Sequence, residues 1–395
     1  MPKRSLVHRD SNVVKNDSRP VTRILVAPDK FKGTLSAPEA AAAIAAGLKD
    51  ADPALDIHCM PLADGGEGTL DVFLAVGGTE HSATVTGPLG EKLEASWVGL
   101  GGLAVIELAQ VCGLGLVARP DAASAWEASS FGAGELIREV VSRGYQEILV
   151  GVGGVASTDG GMGALRALGL KFLRSDGKCV ESLDLSEVVI LDGTDMREVL
   201  DGVDIRIATD VTHVLTGADG AAAVFAPQKG ADAATVQRLE ARMQQWAGLL
   251  TRSFGRDVRE LSATGAAGGF ASGFLAAAAA TIESGLDAVA EISGLDEQLA
   301  NTDLVIVAEG KLDGQSLQGK APIAVARRAK AAGIPVIALA GLIEVDEQQL
   351  ASNGVGGAAD LYQVARDAQD AMEHAALRLR ELTKLVIEPY LSVSV

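Results

Sequence analysis

The stretch Ile24–Gly33 reads I-L-V-A-P-D-K-F-K-G. Its opening residues are apolar, as in a strand buried on both faces of a parallel sheet. Pro28 ends the run, and Asp29, Lys30 and Lys32 follow before Gly33. Ser36–Glu39 (S-A-P-E) has the spacing of a capping box, which predicts an alanine-rich helix to about Leu48. Strand, charged loop and helix in that order put the loop at the carboxyl end of a strand, where open α/β sheets bind ligands.

Outward from this unit the same rhythm recurs. Asp56–Met60 reads as a strand, Pro61–Thr69 (P-L-A-D-G-G-E-G-T) as a polar loop, and the residues from Leu70 as a helix. Between His81 and Leu108 the pattern changes to short extended runs divided by Gly and Pro, an antiparallel signature. A helix is predicted over Phe131–Arg143, strands over Glu147–Val152 and Ile205–Thr209, and a long helix with a solvated charged face over Asp232–Phe254. The first rhythm returns with a strand at Leu304–Ala308, a loop at Glu309–Lys320, a helix to Ala332, and strands at Ile334–Ala340 and Leu361–Val364. The expected fold is therefore α/β with two domains. A discontinuous Rossmann-like parallel-sheet domain (residues 21–78 plus 286–391) carries an inserted second α/β domain with a mixed sheet (79–285), and residues 1–20 form a disordered extension.

Bulk properties narrow the function. A chain of 395 residues is long for one core. With 34 Lys and Arg against 52 Asp and Glu, the net charge of −18 disfavours nucleic acid and anionic membranes as partners. An aromatic content of 4% argues against base-stacking platforms. Cys59, Cys112 and Cys179 lack C-x-x-C spacing and read as buried thiols of a reducing compartment. Phe274–Ile282 reads as an alanine-rich helical segment, too short to span a membrane, and residues 1–20 lack the apolar core of a secretory signal. A cytoplasmic protein is expected.

Four loops carry groups capable of chemistry. Asp64, Gly65, Gly66, Glu67 and Thr69 combine carboxylates suited to Mg²⁺ with bare amides before a helix, suited to phosphate. Gly151–Gly161 (G-V-G-G-V-A-S-T-D-G-G) joins a strand to a helix and offers Gly153, Gly154, Ser157 and Asp159. Its Gly151, Gly153 and Ala156 match a dinucleotide fingerprint, the basis for an alternative reading as an NAD(P)-dependent oxidoreductase of a small hydroxy acid. Gly99, Gly101 and Ala104 match it equally, within a predicted hairpin. Asp210 ends a strand as a base, a metal ligand or an N-cap. Glu309, Asp313, Ser316 and Lys320 fill the fourth loop. No P-loop, H-E-x-x-H or G-x-S-x-G sequence occurs. Glycine loops, lysines, hydroxyls and carboxylates are the kit of phosphoryl transfer.

Taken together these loops resemble the glycerate kinase family. The matching segments are A-P-D-K-F-K-G-T-L-S-A at Ala27–Ala37, P-L-A-D-G-G-E-G-T at Pro61–Thr69, S-F-G-A-G-E-L-I at Ser130–Ile137, G-V-G-G-V-A-S-T-D-G-G at Gly151–Gly161, G-A-A-G-G at Gly265–Gly269, and E-G-K-L-D-G-Q-S with G-K-A-P within Glu309–Pro322. The resemblance implies ATP- and Mg²⁺-dependent phosphorylation of D-glycerate to 2-phosphoglycerate or 3-phosphoglycerate in organic-acid catabolism, two α/β domains with an intervening active-site cleft, and leaves a homodimer open. Carried over, it implies that Asp29–Lys32, Asp64–Thr69, Asp210 and Glu309–Ser316 line that cleft; the chemistry of phosphoryl transfer then leads us to expect Asp210 as base with Asp313 as competitor, and Lys30 and Lys32 as cations for substrate or phosphoryl charge. It further implies Asp64 and Glu67 near Mg²⁺ or the substrate hydroxyls, and Asp29, Gly65, Gly66, Thr69, Gly153, Gly154, Ser157, Asp159, Glu309, Ser316 and Lys320 as substrate- or nucleotide-binding. Thr212-His213-Val214-Leu215 departs from the family's usual Asx-Asn-Pro-Leu, and Lys311 stands where Arg is common.

Overall fold

A computed structural model describes residues 21–63, 65–180, 182, 184–318 and 320–391. The expected extension at residues 1–20 and the candidate Asp64 lie outside the described residues. The strands in chain order are β1 (Arg23–Pro28), β2 (Asp56–Cys59), β3 (Thr79–Thr86), β4 (Lys92–Leu100), β5 (Leu103–Glu107), β6 (Glu147–Gly151), β7 (Lys171–Leu173), β8 (Ile190–Asp192), β9 (Asp204–Ala208), β10 (Thr281–Glu283), β11 (Leu304–Leu312), β12 (Val336–Ile343) and β13 (Gly357–Asp360). The chain divides into two compact units, Met1–Asp64 with Leu286–Val395, and Gly65–Gly285.

The first unit is built on a five-stranded parallel sheet of order β13-β12-β11-β1-β2. The apolar run that opened the sequence lies inside it, between β11 and the edge strand β2, with Ile24 opposite Leu304 on one side and Ile57 on the other. Successive side chains of a strand point to opposite faces. Accordingly Ile24 and Val26 join one core with Ile44, Leu48, Leu379 and Leu382, while Leu25 and Ala27 join another with Val305, Ile323 and Val325. Burying such aliphatic side chains stabilises by roughly 1.5–3 kcal/mol each, which is why every residue of the run is apolar. The capping box forms: Glu39 N–H donates to Ser36 Oγ at 3.3 Å, and Ser36 N–H to Glu39 Oε2 at 2.8 Å, starting the helix Ala37–Ala51. From β1 the chain moves to β2 on one flank, and from β11 to β12 on the other. The sheet's topological switch point therefore lies between β1 and β11, and crevices outside the carboxyl ends of such strands are ligand sites.

Two expectations for this unit change. β11 does not stop at Ala308 but continues to Leu312, because Glu309 and Lys311 stay in register with Ala340 and Leu342 of β12. The last strand is Gly357–Asp360, and Leu361–Gln363 is a 3-10 turn. Its small residues, G-A-A-D, carry no strand signal, and pairing with β12 makes the strand.

The second unit holds a six-stranded sheet of order β10-β9-β6-β5-β4-β3, antiparallel from β3 to β5 and parallel from β5 to β10. Its core gathers Trp97, Ile106, Leu136, Ile148, Trp246 and Phe270. The helix Thr69–Ala75 packs on β4 and β5, so this unit begins at Gly65 rather than at the expected residue 79; the chain leaves it after Gly285. Within the run Phe274–Ile282 the helix ends at Ala277 and β10 starts at Thr281, where pairing with β9 overrides the alanine-rich composition. Cys112 is buried, but Cys59 and Cys179 are exposed, against the expectation of three buried thiols, and all three are free. Among the described residues no helix is long and apolar enough to cross a membrane.

Candidate active site

At the switch point of the first unit, the Asp29 N–H donates to Ala308 O at 2.7 Å, which ties the D-K-F-K loop to β11 where its pairing with β1 ends. Asp29 Oδ1 accepts from the Lys30 N–H at 2.7 Å. Asp29 and Lys30 are half-buried, and Lys32 is exposed. The next residue of β11 is Glu309, only 4% exposed, with Oε2 3.8 Å from Lys320 Nζ. Its Oε1 is buried and has no hydrogen-bond partner among the described residues. Burial raises the Glu309 carboxyl to about 7, helped by the negative charges of Asp29 and Asp313 and opposed by the Ser316 hydroxyl and the Lys320 ammonium. Asp313 is different. Its Oδ1 accepts from the Gln315 N–H at 2.9 Å and the Ser316 N–H at 3.2 Å, and these backbone bonds, led by Ser316, lower its pKa. It is a loop anchor first, and a weakened base. Lys311 pairs with Glu344 at 2.8 Å.

In the second unit the parallel strands bring their carboxyl ends to one edge. Gly65 sits there at φ +81°, and a Cβ on it would lie 2.6 Å from Ala208 O at the end of β9. A Cβ on Gly153 would lie 2.5 Å from Gly66 Cα, so the two glycine loops pack backbone against backbone. Glu107 ends β5, and its Oε2 accepts from the Gly68 and Leu70 N–H groups at 3.2 and 3.3 Å, fixing the start of the helix Thr69–Ala75. Thr69 is buried and donates to Gly66 O at 2.6 Å; Glu67 is exposed. Asp210 is exposed at the end of β9, where its Oδ1 accepts from Ser284 Oγ at 2.8 Å and the Gly285 N–H at 3.2 Å.

The Ser157–Gly161 turn turns inward. Asp159 is fully buried, and its carboxylate accepts from the Ser130 N–H and Oγ at 2.8 Å and from the Gly161 and Gly163 N–H groups at 3.2 Å. Those donors saturate it, so Asp159 holds the turn instead of presenting a carboxylate to a ligand. Lys229, 4% exposed, donates to Ser157 O at 2.6 Å, and burial lowers its ammonium to about 8. Arg242, also buried, donates to Thr158 O at 2.7 Å and Trp126 O at 3.1 Å. The helix after this loop starts only at Met162, and Ala156 N–H donates to Cys112 O at 2.7 Å. A dinucleotide fingerprint needs its glycines at the helix start, so the oxidoreductase reading fails here.

The glycerate kinase family model matches residues 24–390. The chain belongs to the glycerate kinase family. Relatives of this kinase include the glycerate kinase of Bacillus subtilis, 38% identical over 90% of this chain and 94% of that protein. The glycerate 2-kinase of Escherichia coli K12 is 38% identical over 84% of this chain and 88% of its own length. A crystal structure described as glycerate kinase 2 from Salmonella typhimurium LT2 superposes with a TM-score of 0.81 at 36% identity, covering 93% of this chain and 97% of that one. The protein is thus a phosphotransferase acting on an alcohol group.

Among the described residues of this kinase no three His, Cys, Asp or Glu side chains form a metal cluster. Mg²⁺ that arrives with a nucleotide takes one or two carboxylates plus phosphate oxygens, and Glu67 beside the loop amides fits that donor set. The sequence reading missed Glu107, Lys229 and Arg242. A carboxylate closing the apolar run Leu103–Ile106 was a usable signal for Glu107; Lys229 and Arg242 carried none.

Proposed function

We propose that this kinase transfers the γ-phosphoryl group of ATP, with Mg²⁺, to D-glycerate, giving 2-phosphoglycerate as a step of organic-acid catabolism. The observation that carries this reading is the set of carboxylates and lysines at the β1/β11 switch point, Asp29, Lys30, Glu309 and Lys320, where an open sheet receives ligands. A protein of net charge −18 needs such local cations to hold an anionic acid. Lys30 and Lys32 supply charge to the glycerate carboxylate or the moving phosphoryl group. The amides of Gly65, Gly66, Gly153 and Gly154 cradle phosphate or substrate oxygens, and Glu67 with Asp64 would hold Mg²⁺, which neutralises phosphate charge. The choice of the 2-position follows the name of the Escherichia coli relative, a glycerate 2-kinase.

The test is ADP release from purified protein with ATP, Mg²⁺ and D-glycerate, followed by proton-coupled phosphorus NMR. Phosphate on C2 couples to one proton and gives a doublet; phosphate on C3 gives a triplet. A triplet corrects the position, and absence of any phosphoglycerate overturns the substrate.

A further inference from the structure

We propose that Glu309 is the proton acceptor of the transfer, taking the hydroxyl proton of the acceptor as its oxygen attacks the γ-phosphorus. The inference rests on the glycerate kinase reading above and assigns a catalytic residue within it. The P–O bond to the acceptor forms, the bond from the γ-phosphorus to the β,γ-bridging oxygen breaks, ADP leaves, and the proton resides on the Glu309 carboxyl.

Four observations converge on Glu309. It directly follows Ala308, the last residue of β11 that pairs with β1, at the switch point. It is a carboxylate nine-tenths buried whose Oε1 has no hydrogen-bond partner among the described residues, so an acceptor site is held ready at a place where burial without a partner is costly. The backbone around it is stripped of side chains: a Cβ on Gly310 would approach Phe31 Cα at 3.1 Å, and one on Gly341 would lie 2.4 Å from Gly310 O. Finally, the remaining candidates are engaged elsewhere, Asp313 by the amides of Gln315 and Ser316 and Asp210 by Ser284 and Gly285.

The charged groups facing Glu309 are Asp29 from the loop after β1, Asp313 from the loop after β11, and Lys320 ahead of the helix Ala321–Ala331, with the Ser316 hydroxyl beside them. Their balance with burial leaves the carboxyl near 7, the range in which a general base combines ionisation with driving force. The base works only when deprotonated. Turnover should therefore rise with pH, reach its midpoint near 7 and level off above it.

The experiment is the pH dependence of kcat for D-glycerate phosphorylation by the wild type and by Glu309→Gln, Glu309→Asp and Asp210→Asn. We expect Glu309→Gln to lose roughly a hundredfold or more in kcat with a small change in KM, and to lose the acid limb. Glu309→Asp should keep the limb at reduced rate. A wild-type rate flat from pH 6 to 8 overturns the assignment without any variant. Glu309→Gln turning over within a few-fold of wild type, or a limb abolished by Asp210→Asn and retained in Glu309→Gln, overturns it while leaving the kinase reading intact. A wild type that fails to phosphorylate D-glycerate overturns both.

Discussion

Gly65 and Gly68 share one loop and both have positive φ, +81° and +96°, yet their surroundings differ. Around Gly68 nothing would meet an added Cβ, whereas at Gly65 the new atom would lie 2.6 Å from Ala208 O, a backbone atom of β9. Gly68→Ala should then lose only the left-handed conformational preference, about 1 kcal/mol. Gly65→Ala adds a steric clash that neither backbone can relieve alone, and should lose on the order of 3 kcal/mol or more. Urea unfolding followed by tryptophan fluorescence checks the ordering; equal losses would mean the β9 end yields freely. The sequence made the need for glycine legible here, because paired glycines between a strand and a helix indicate close backbone approach. It did not say what approaches, since Ala208 lies far away along the chain. Glu309 illustrates the same limit. Its place after an apolar strand was plain, but its burial and its unpartnered oxygen depend on Gly310, Ser316 and Lys320 packing around it.

Among elements, the helix Ala233–Phe254 departs furthest from its sequence reading. Helix-forming residues predicted its existence and extent, and the N-cap Asp232 accepts from the Thr235 N–H at 2.8 Å. Its charges, however, are not all on a solvated face. Arg242 and Trp246, four residues apart, lie on one stripe and bind the carbonyls of Thr158 and Gly160 at 2.7 and 3.0 Å. The helix thereby fixes the Ser157–Gly161 turn from behind. Periodicity reports which face is apolar, and an Arg on that face looks like an error until a buried carbonyl appears opposite it. Trp246→Phe keeps most of the packing and removes the indole donor, leaving Gly160 O buried without it. We expect a loss of about 1–3 kcal/mol in stability, read from the urea midpoint by circular dichroism. A variant as stable as wild type would show that the carbonyl finds another donor.

At the scale of the whole chain, the α/β class, the parallel sheet containing β1 and the mixed second sheet were all legible, because buried parallel strands read as continuous apolar runs. The first junction was not. A strand–loop–helix rhythm continues through Thr69–Ala75, and only packing on β4 and β5 assigns that helix to the second unit. The two units have separate hydrophobic cores: one gathers residues between Ala83 and Ile282, while the other two gather residues outside that span. Chains of this kind commonly break two-state behaviour, each core losing its packing at its own denaturant concentration. The tryptophans provide a selective probe, for Trp97, Trp126 and Trp246 all lie within Gly65–Gly285. Fluorescence should therefore follow the second unit alone, whereas far-ultraviolet circular dichroism follows the helices of both. Urea unfolding of the ligand-free protein should give fluorescence and dichroism curves that do not superimpose, with the dichroism curve broader or biphasic. Curves that coincide in midpoint and slope would mean that the cores melt as one cooperative block, and that the boundary at Gly65 and Gly285 divides the contacts but not the folding.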